Sequence, residues 1–92
     1  MSASRPQIRI LIADDHPVVR EGLRGLIAVQ QDIVVVAEAS NGREAIQQFR
    51  THHPDVTVMD LQMPEMNGVD AVSSIRAEFP GAKIIMADRP SL

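Results

Sequence analysis

The stretch Val56-Thr57-Val58-Met59-Asp60-Leu61-Gln62-Met63-Pro64-Glu65-Met66-Asn67-Gly68 constrains this chain more than any other. Its apolar, partly β-branched start suits a buried strand. The apolar run stops on a carboxylate, Asp60, at what becomes the strand's carboxyl end. In open α/β sheets that edge is where ligands bind. Pro64 cannot continue a strand ladder, so the chain must turn. Asn67-Gly68 is a turn dipeptide that also opens the next helix.

The same pattern occurs earlier. Gln7 to Ala13 is a strand, polar at first and then continuously apolar, as expected of a central parallel strand buried on both faces, and Asp14-Asp15 follows it directly. If the two strands are parallel neighbours, Asp14, Asp15 and Asp60 converge at one end of the sheet. Such carboxylates repel one another unless a hard, oxygen-preferring cation lies between them, and Mg²⁺ fits that description. Asp14-Asp15 alone reads as a solvated turn; beside Asp60 the metal reading is the stronger.

The rest of the chain keeps a βα rhythm. Pro17 suits the first position of a helix. Val18, Val19, Gly22, Leu23, Leu26 and Ile27 follow at helical spacing as one apolar stripe, with Arg20, Glu21 and Arg24 on the other side. Asp32 to Glu38 is a second strand. Asn41 is a helix N-cap with Glu44 as its capping-box partner, and Ala45, Ile46 and Phe49 face the core. Pro54 ends that helix. Asp55 to Asp60 is the third strand. A third helix runs from about Asn67 to Glu78, with Val69, Val72 and Ile75 inward, until Pro80-Gly81. Lys83 to Met86 starts a fourth strand. The order β-α-β-α-β-α-β predicts a parallel sheet with right-handed crossovers.

Composition narrows the function classes. Ninety-two residues allow one small domain, and 45% apolar with 23% charged residues is ordinary for a soluble chain. No cysteine means no disulfide or thiolate metal site, which points to a reducing cytoplasm. A net charge of −3 leaves no basic footprint for DNA, and no run is long enough to span a membrane. Residues 1–6 read as a disordered arm.

These residues resemble the receiver domain of two-component response regulators. The matching positions are Asp14-Asp15-His16-Pro17 and Asp60-Leu61-Gln62-Met63-Pro64-Glu65-Met66-Asn67-Gly68. The Asp-Asp-His-Pro form and Asn41-Gly42-Arg43-Glu44-Ala45 are similar to the branch that carries a LuxR/NarL-type helix-turn-helix domain after the receiver. The resemblance implies an α/β, flavodoxin-like (CheY-like), doubly wound parallel sheet with strand order 2-1-3-4, incomplete after the fourth strand. It implies that Asp60 takes a phosphoryl group from a sensor histidine kinase. It implies Mg²⁺ held by Asp15, Asp60 and the Gln62 backbone carbonyl, with Asp14 acting through water. No enzyme activity is expected beyond self-phosphorylation and autodephosphorylation.

The resemblance breaks after Met86. The family's phosphoryl-binding Thr or Ser falls on Asp88, and its Lys at the end of the fifth strand has no counterpart. The expectation is a module impaired in switching and unable to bind DNA. A second reading is an oligomerising, non-signalling fragment. In it the sheet face around Ile10, Ile12 and Val58 and the edge Ile84-Ile85-Met86 are uncovered and pair with another copy. An Asp-nucleophile phosphatase needs a second Asp where Gln62 stands. His16 reads as packing or hydrogen-bonding near the pocket rim, His52-His53 as solvated cations at a helix end, and Met59, Met63 and Met66 as packing.

Overall fold

A computed structural model describes residues 7–87. The expectations for residues 1–6 and for Asp88 and the residues after it lie outside that range. Four strands and three helices alternate: β1 (Ile8–Ala13), α1 (Pro17–Ala28), β2 (Ile33–Ala39), α2 (Gly42–His52), β3 (Val56–Asp60), α3 (Gly68–Glu78) and β4 (Ile84–Ala87). All pairings are parallel, in the order β2-β1-β3-β4. Each strand end lies within one residue of its sequence expectation. β4 continues through Ala87, which pairs with Asp60 and whose carbonyl accepts the Leu61 N–H at 3.2 Å.

The handedness of parallel crossovers distributes the helices. The step from β1 to β2 runs one way along the sheet; the steps to β3 and to β4 run the other way. α1 therefore lies on one face, and α2 and α3 share the opposite face, where they pack on each other. That second face holds the main core: Leu11, Ala13, Ala39, Ala45, Phe49, Met59, Met63, Ala71, Val72 and Ile75. Fully burying a side chain such as Leu11 or Ile75 is worth about 1.5–3 kcal/mol, so this face is what holds β1 and β3 together. The Phe49 and Phe79 rings close its lower end, with centroids 4.9 Å apart. Met59 and Met63 are buried there and Met66 packs against them, as expected of packing methionines.

Three expectations about burial are corrected. Val69 is 54% exposed rather than inward. α3 buries Gly68, Ala71, Val72 and Ile75, an i, i+3, i+4, i+7 stripe that leaves position 69 off its edge. Ile10 and Ile12 are not uncovered: they are 8% and 0% exposed. β1 runs in the middle of the sheet, between β2 and β3, with α1 on the face to which these residues point. Val58 is half-buried; on the β4 edge Ile85 and Met86 are exposed as expected, whereas Ile84 packs against the core. The apolar stripe of α1 forms at helical spacing, yet no α1 residue is fully buried and Val18 and Leu26 lie open. The helix meets β2, and a groove separates them, lined by Val18, Gly22, Ile27, Val34 and Val36.

The α2 cap differs in one detail. Asn41 Oδ1 accepts the Glu44 N–H at 2.8 Å, as a cap should. The Glu44 carboxylate does not return to Asn41; it accepts from the N–H and hydroxyl of Ser40, both at 2.8 Å. These bonds hold the Glu44 carboxyl below the usual carboxylate range. At the other end of α2, His53 adopts a left-handed conformation with φ 46° and stands edge-on to Phe79. Among the described residues no helix is long and apolar enough to cross a membrane.

Thr57 sits in this core with 0% exposure, and its hydroxyl has no hydrogen-bond partner among the described residues. Leaving such a group unpaired costs about 1–3 kcal/mol. Thr57→Val keeps the shape and removes that cost. It is expected to raise stability by about 1 kcal/mol, or about 4–8 °C in the unfolding midpoint. A lowered midpoint in a thermal melt would show that the hydroxyl is satisfied in solution.

Candidate functional site: a carboxylate cluster at the carboxyl edge of the sheet

The parallel pairing of β1 with β3 places Ala13 opposite Met59. The residues that follow, Asp14 and Asp60, therefore emerge side by side. Asp14 is 6% exposed and Asp60 1%, while Asp15 is half-buried. One ligand atom from each of Asp14, Asp15, His16 and Asp60 can be chosen so that all lie within 4.8 Å of one another. The convergence of three carboxylates is thus present in the fold.

Each carboxylate is oriented by local backbone. Asp14 Oδ1 accepts the His16 N–H at 2.8 Å, and Asp60 Oδ1 accepts the Gln62 N–H at 3.0 Å. Both bonds reach two residues ahead, the Asx-turn pattern that Asp favours. The Asp14 N–H donates to the Ala39 carbonyl on β2 at 2.9 Å, which fixes the turn from the other side. Arg20 on α1 donates to the Asp14 carbonyl oxygen and to Glu38 on β2. It ties the first helix to the strand ends without touching a carboxylate of the cluster. His16 stands at the pocket rim, as expected: its side chain is 43% exposed, and its Nδ1 is 2.8 Å from Asp15 Oδ1 and 3.1 Å from Asp14 Oδ1.

The loop from Leu61 to Asn67 joins β3 to α3. Gly68 closes it by donating to the Leu61 carbonyl at 3.2 Å. Gly68 is required by crowding rather than by its backbone angles. A Cβ there would overlap the Asp60 carbonyl oxygen and lie 2.8 Å from Leu61 Cα. Asn67 caps α3 by accepting the Asp70 N–H at 2.9 Å. Sequence reasoning missed the Asn41 side chain's second bond, to Glu65, and the Arg20 anchor. Only the Asn-Gly pair itself gave a signal for the first, and none marked the second.

Strand order, crossovers and the acidic edge define a doubly wound domain of the receiver type. The family model for the response regulator receiver domain matches residues 10–88. The chain belongs to that family. It is 48% identical over 79 residues to the uncharacterized transcriptional regulatory protein YhcZ of Bacillus subtilis (strain 168), covering 86% of this chain and 37% of the relative. A two-component response regulator of the LuxR family from Aurantimonas sp. SI85-9A1 superposes with a TM-score of 0.86 at 40% identity, covering 92% of this chain and 61% of that one. A chain of the CheX-CheY-BeF3-Mg+2 complex from Borrelia burgdorferi superposes with a TM-score of 0.83 at 26% identity, covering 90% of this chain and 63% of that one. The chain thus spans little more than a third of the curated relative and under two thirds of these solved chains.

Proposed function

We propose that this receiver domain accepts a phosphoryl group on Asp60, with Mg²⁺ held in the carboxylate cluster, as the input module of a LuxR-type transcriptional regulator in the cytoplasm. The observation that carries this is the burial of Asp60 at the carboxyl end of β3, within reach of Asp14 and Asp15. Converging hard oxygen donors suit Mg²⁺ better than a softer metal. That a similar protein was solved in a complex containing BeF3 and Mg²⁺ supports the reading. Asp15, Asp60 and the Gln62 backbone carbonyl would hold the cation directly, and Asp14 through a water. Bound there, it would supply positive charge against the phosphoryl oxygens.

The chain's own residues do the rest. An Asp60 carboxylate oxygen forms the new bond to phosphorus. The P–N bond of a phosphohistidine on a sensor kinase breaks, and its electron pair returns to the imidazole nitrogen. With acetyl phosphate the P–O bond breaks and acetate leaves. The Gln62 N–H on Asp60 Oδ1 fixes the plane of the carboxylate, so attack requires little reorganisation. The chain is a phosphoacceptor rather than an enzyme with turnover on a separate substrate.

Intact mass after incubation with Mg²⁺ and acetyl phosphate tests this. Wild-type protein is expected to gain one phosphoryl group, and Asp60→Asn none. Equal gain by both would place the phosphoryl group elsewhere. No gain by folded wild-type protein would favour a second reading, a self-associating domain. That reading rests on the β4 edge, where Ile85 is 59% and Met86 49% exposed. Light scattering at tens of micromolar measures it directly, with a monomer counting against it.

A further inference from the structure

Asn41 uses both ends of its side-chain amide. Its Oδ1 accepts the Glu44 N–H and caps α2, and its Nδ2 donates to Glu65 Oε2 at 3.0 Å. Asn41 is 9% exposed, whereas Glu65 is exposed on the loop that follows Asp60. The next residue adds a second tie: the Gly42 N–H donates to the Met66 carbonyl at 2.8 Å. A Cβ on Gly42 would overlap that carbonyl oxygen and lie 2.9 Å from its carbon. The α2 N-terminus and the β3–α3 loop are therefore clasped at two adjacent residues on each side.

The clasp holds a strained conformation. Glu65 has φ 64°, in the left-handed region. A non-glycine residue is strained there and persists only where its surroundings over-determine it. The loop is pinned at its start by Gln62 on Asp60, at its end by Gly68 on Leu61, and at its apex by Asn41 and Gly42. Without the apex contacts, nothing else described offsets the strain at Glu65. The loop would relax, and the Gln62 peptide with it.

We infer that Asn41 is a positioning residue for the metal site. It is a clasp that, through Glu65, keeps the Gln62 carbonyl and the Asp60 carboxylate set for the cation. The inference rests on the Mg²⁺ reading of the carboxylate cluster. The position demands Asn, because the side chain must accept from a helix N–H and donate to a carboxylate at once; Asp only accepts.

Four variants separate clasp from cap and from charge. Asn41→Asp keeps the cap acceptor but sets a carboxylate against Glu65. Glu65→Ala removes the clasp and leaves the cap untouched. Glu65→Gln keeps an acceptor for Asn41 and removes the charge. Asn41→Asp with Glu65→Gln restores a donor–acceptor pair with the polarity reversed. The Mg²⁺ dissociation constant is read by calorimetry, and the unfolding midpoint is read in Mg²⁺-free buffer.

Asn41→Asp and Glu65→Ala are expected to weaken Mg²⁺ binding about tenfold, the scale of losses when a partner behind a metal ligand is removed. Glu65→Gln and the double variant are expected to bind as the wild type does. Asn41→Asp is expected to melt near the wild-type midpoint, since its cap survives. Charge alone predicts the opposite for Asn41→Asp, because an added carboxylate attracts the cation. Tighter or unchanged binding by Asn41→Asp, or no recovery in the double variant, overturns the clasp. If the wild type binds no Mg²⁺, the metal reading fails and the clasp with it. Wild-type binding with unaffected variants sinks the clasp alone.

Discussion

Gly68→Ala is expected to destabilise the domain by about 3 kcal/mol, at the upper end of overpacking costs, and to lower its unfolding midpoint by more than about 10 °C. The added methyl group has nowhere to go. It would meet the Asp60 carbonyl, with the Asp60 carbon at 2.9 Å and Leu61 Cα at 2.8 Å, and all of these are backbone atoms. Relief requires α3 to move away from β3, which opens the stripe of Ala71, Val72 and Ile75. The same substitution at Gly22 meets nothing within 4 Å. There alanine's helix preference is expected to add about 0.5–1 kcal/mol. Opposite signs in parallel urea titrations confirm the close approach; a neutral Gly68→Ala would mean that α3 does not start against the end of β3.

Asp60→Asn is expected to be more stable than the wild type by about 1–2 kcal/mol in EDTA, while losing phosphoryl uptake entirely. Asp60 is 1% exposed and shares a small volume with Asp14 and Asp15. Two like charges about 4 Å apart repel by about 1 kcal/mol in water and about 4 kcal/mol at the dielectric of a protein surface. Asparagine removes that repulsion and keeps an oxygen to accept the Gln62 N–H. Adding Mg²⁺ is expected to narrow or reverse the difference, because the cation stabilises only the protein that binds it. Melting curves with and without Mg²⁺ measure both effects. A less stable Asp60→Asn in EDTA would show that the negative charge itself is held favourably by the fold.

Much of this was legible in the sequence because it depends on strand ends. Once Ile8–Ala13 and Val56–Asp60 are parallel neighbours, Asp14 and Asp60 meet whatever the loops do. The strand assignments and the Asn41 and Asn67 caps rest on local chemistry in the same way. The misses are matters of phase and of shielding. Val69 is apolar and helical, but α3 is phased by Gly68 crowding against Asp60, which no hydrophobic pattern records. Ile10 and Ile12 were expected to be open, yet a central strand is shielded by its neighbours on the sheet as well as by the helix above it. The Asn41–Glu65 contact joins two loops whose course is set by backbone bonds rather than by side-chain pattern.

The pairing of β1 with β3 has a consequence for how the domain is assembled. β1 and β2 are successive strands, as are β3 and β4, so each pair forms with one helical crossover. β1 and β3 are not, and joining them closes the longest loop in the sheet, with Ile10 against Val56. Closing a loop of that span is among the slow, entropically costly events of folding. The carboxylate cluster comes into being only when that seam closes. A cation that occupies it therefore reports on the closed β1–β3 seam. Mg²⁺ added during refolding should slow the reopening of the seam while leaving the earlier, local steps at their own pace.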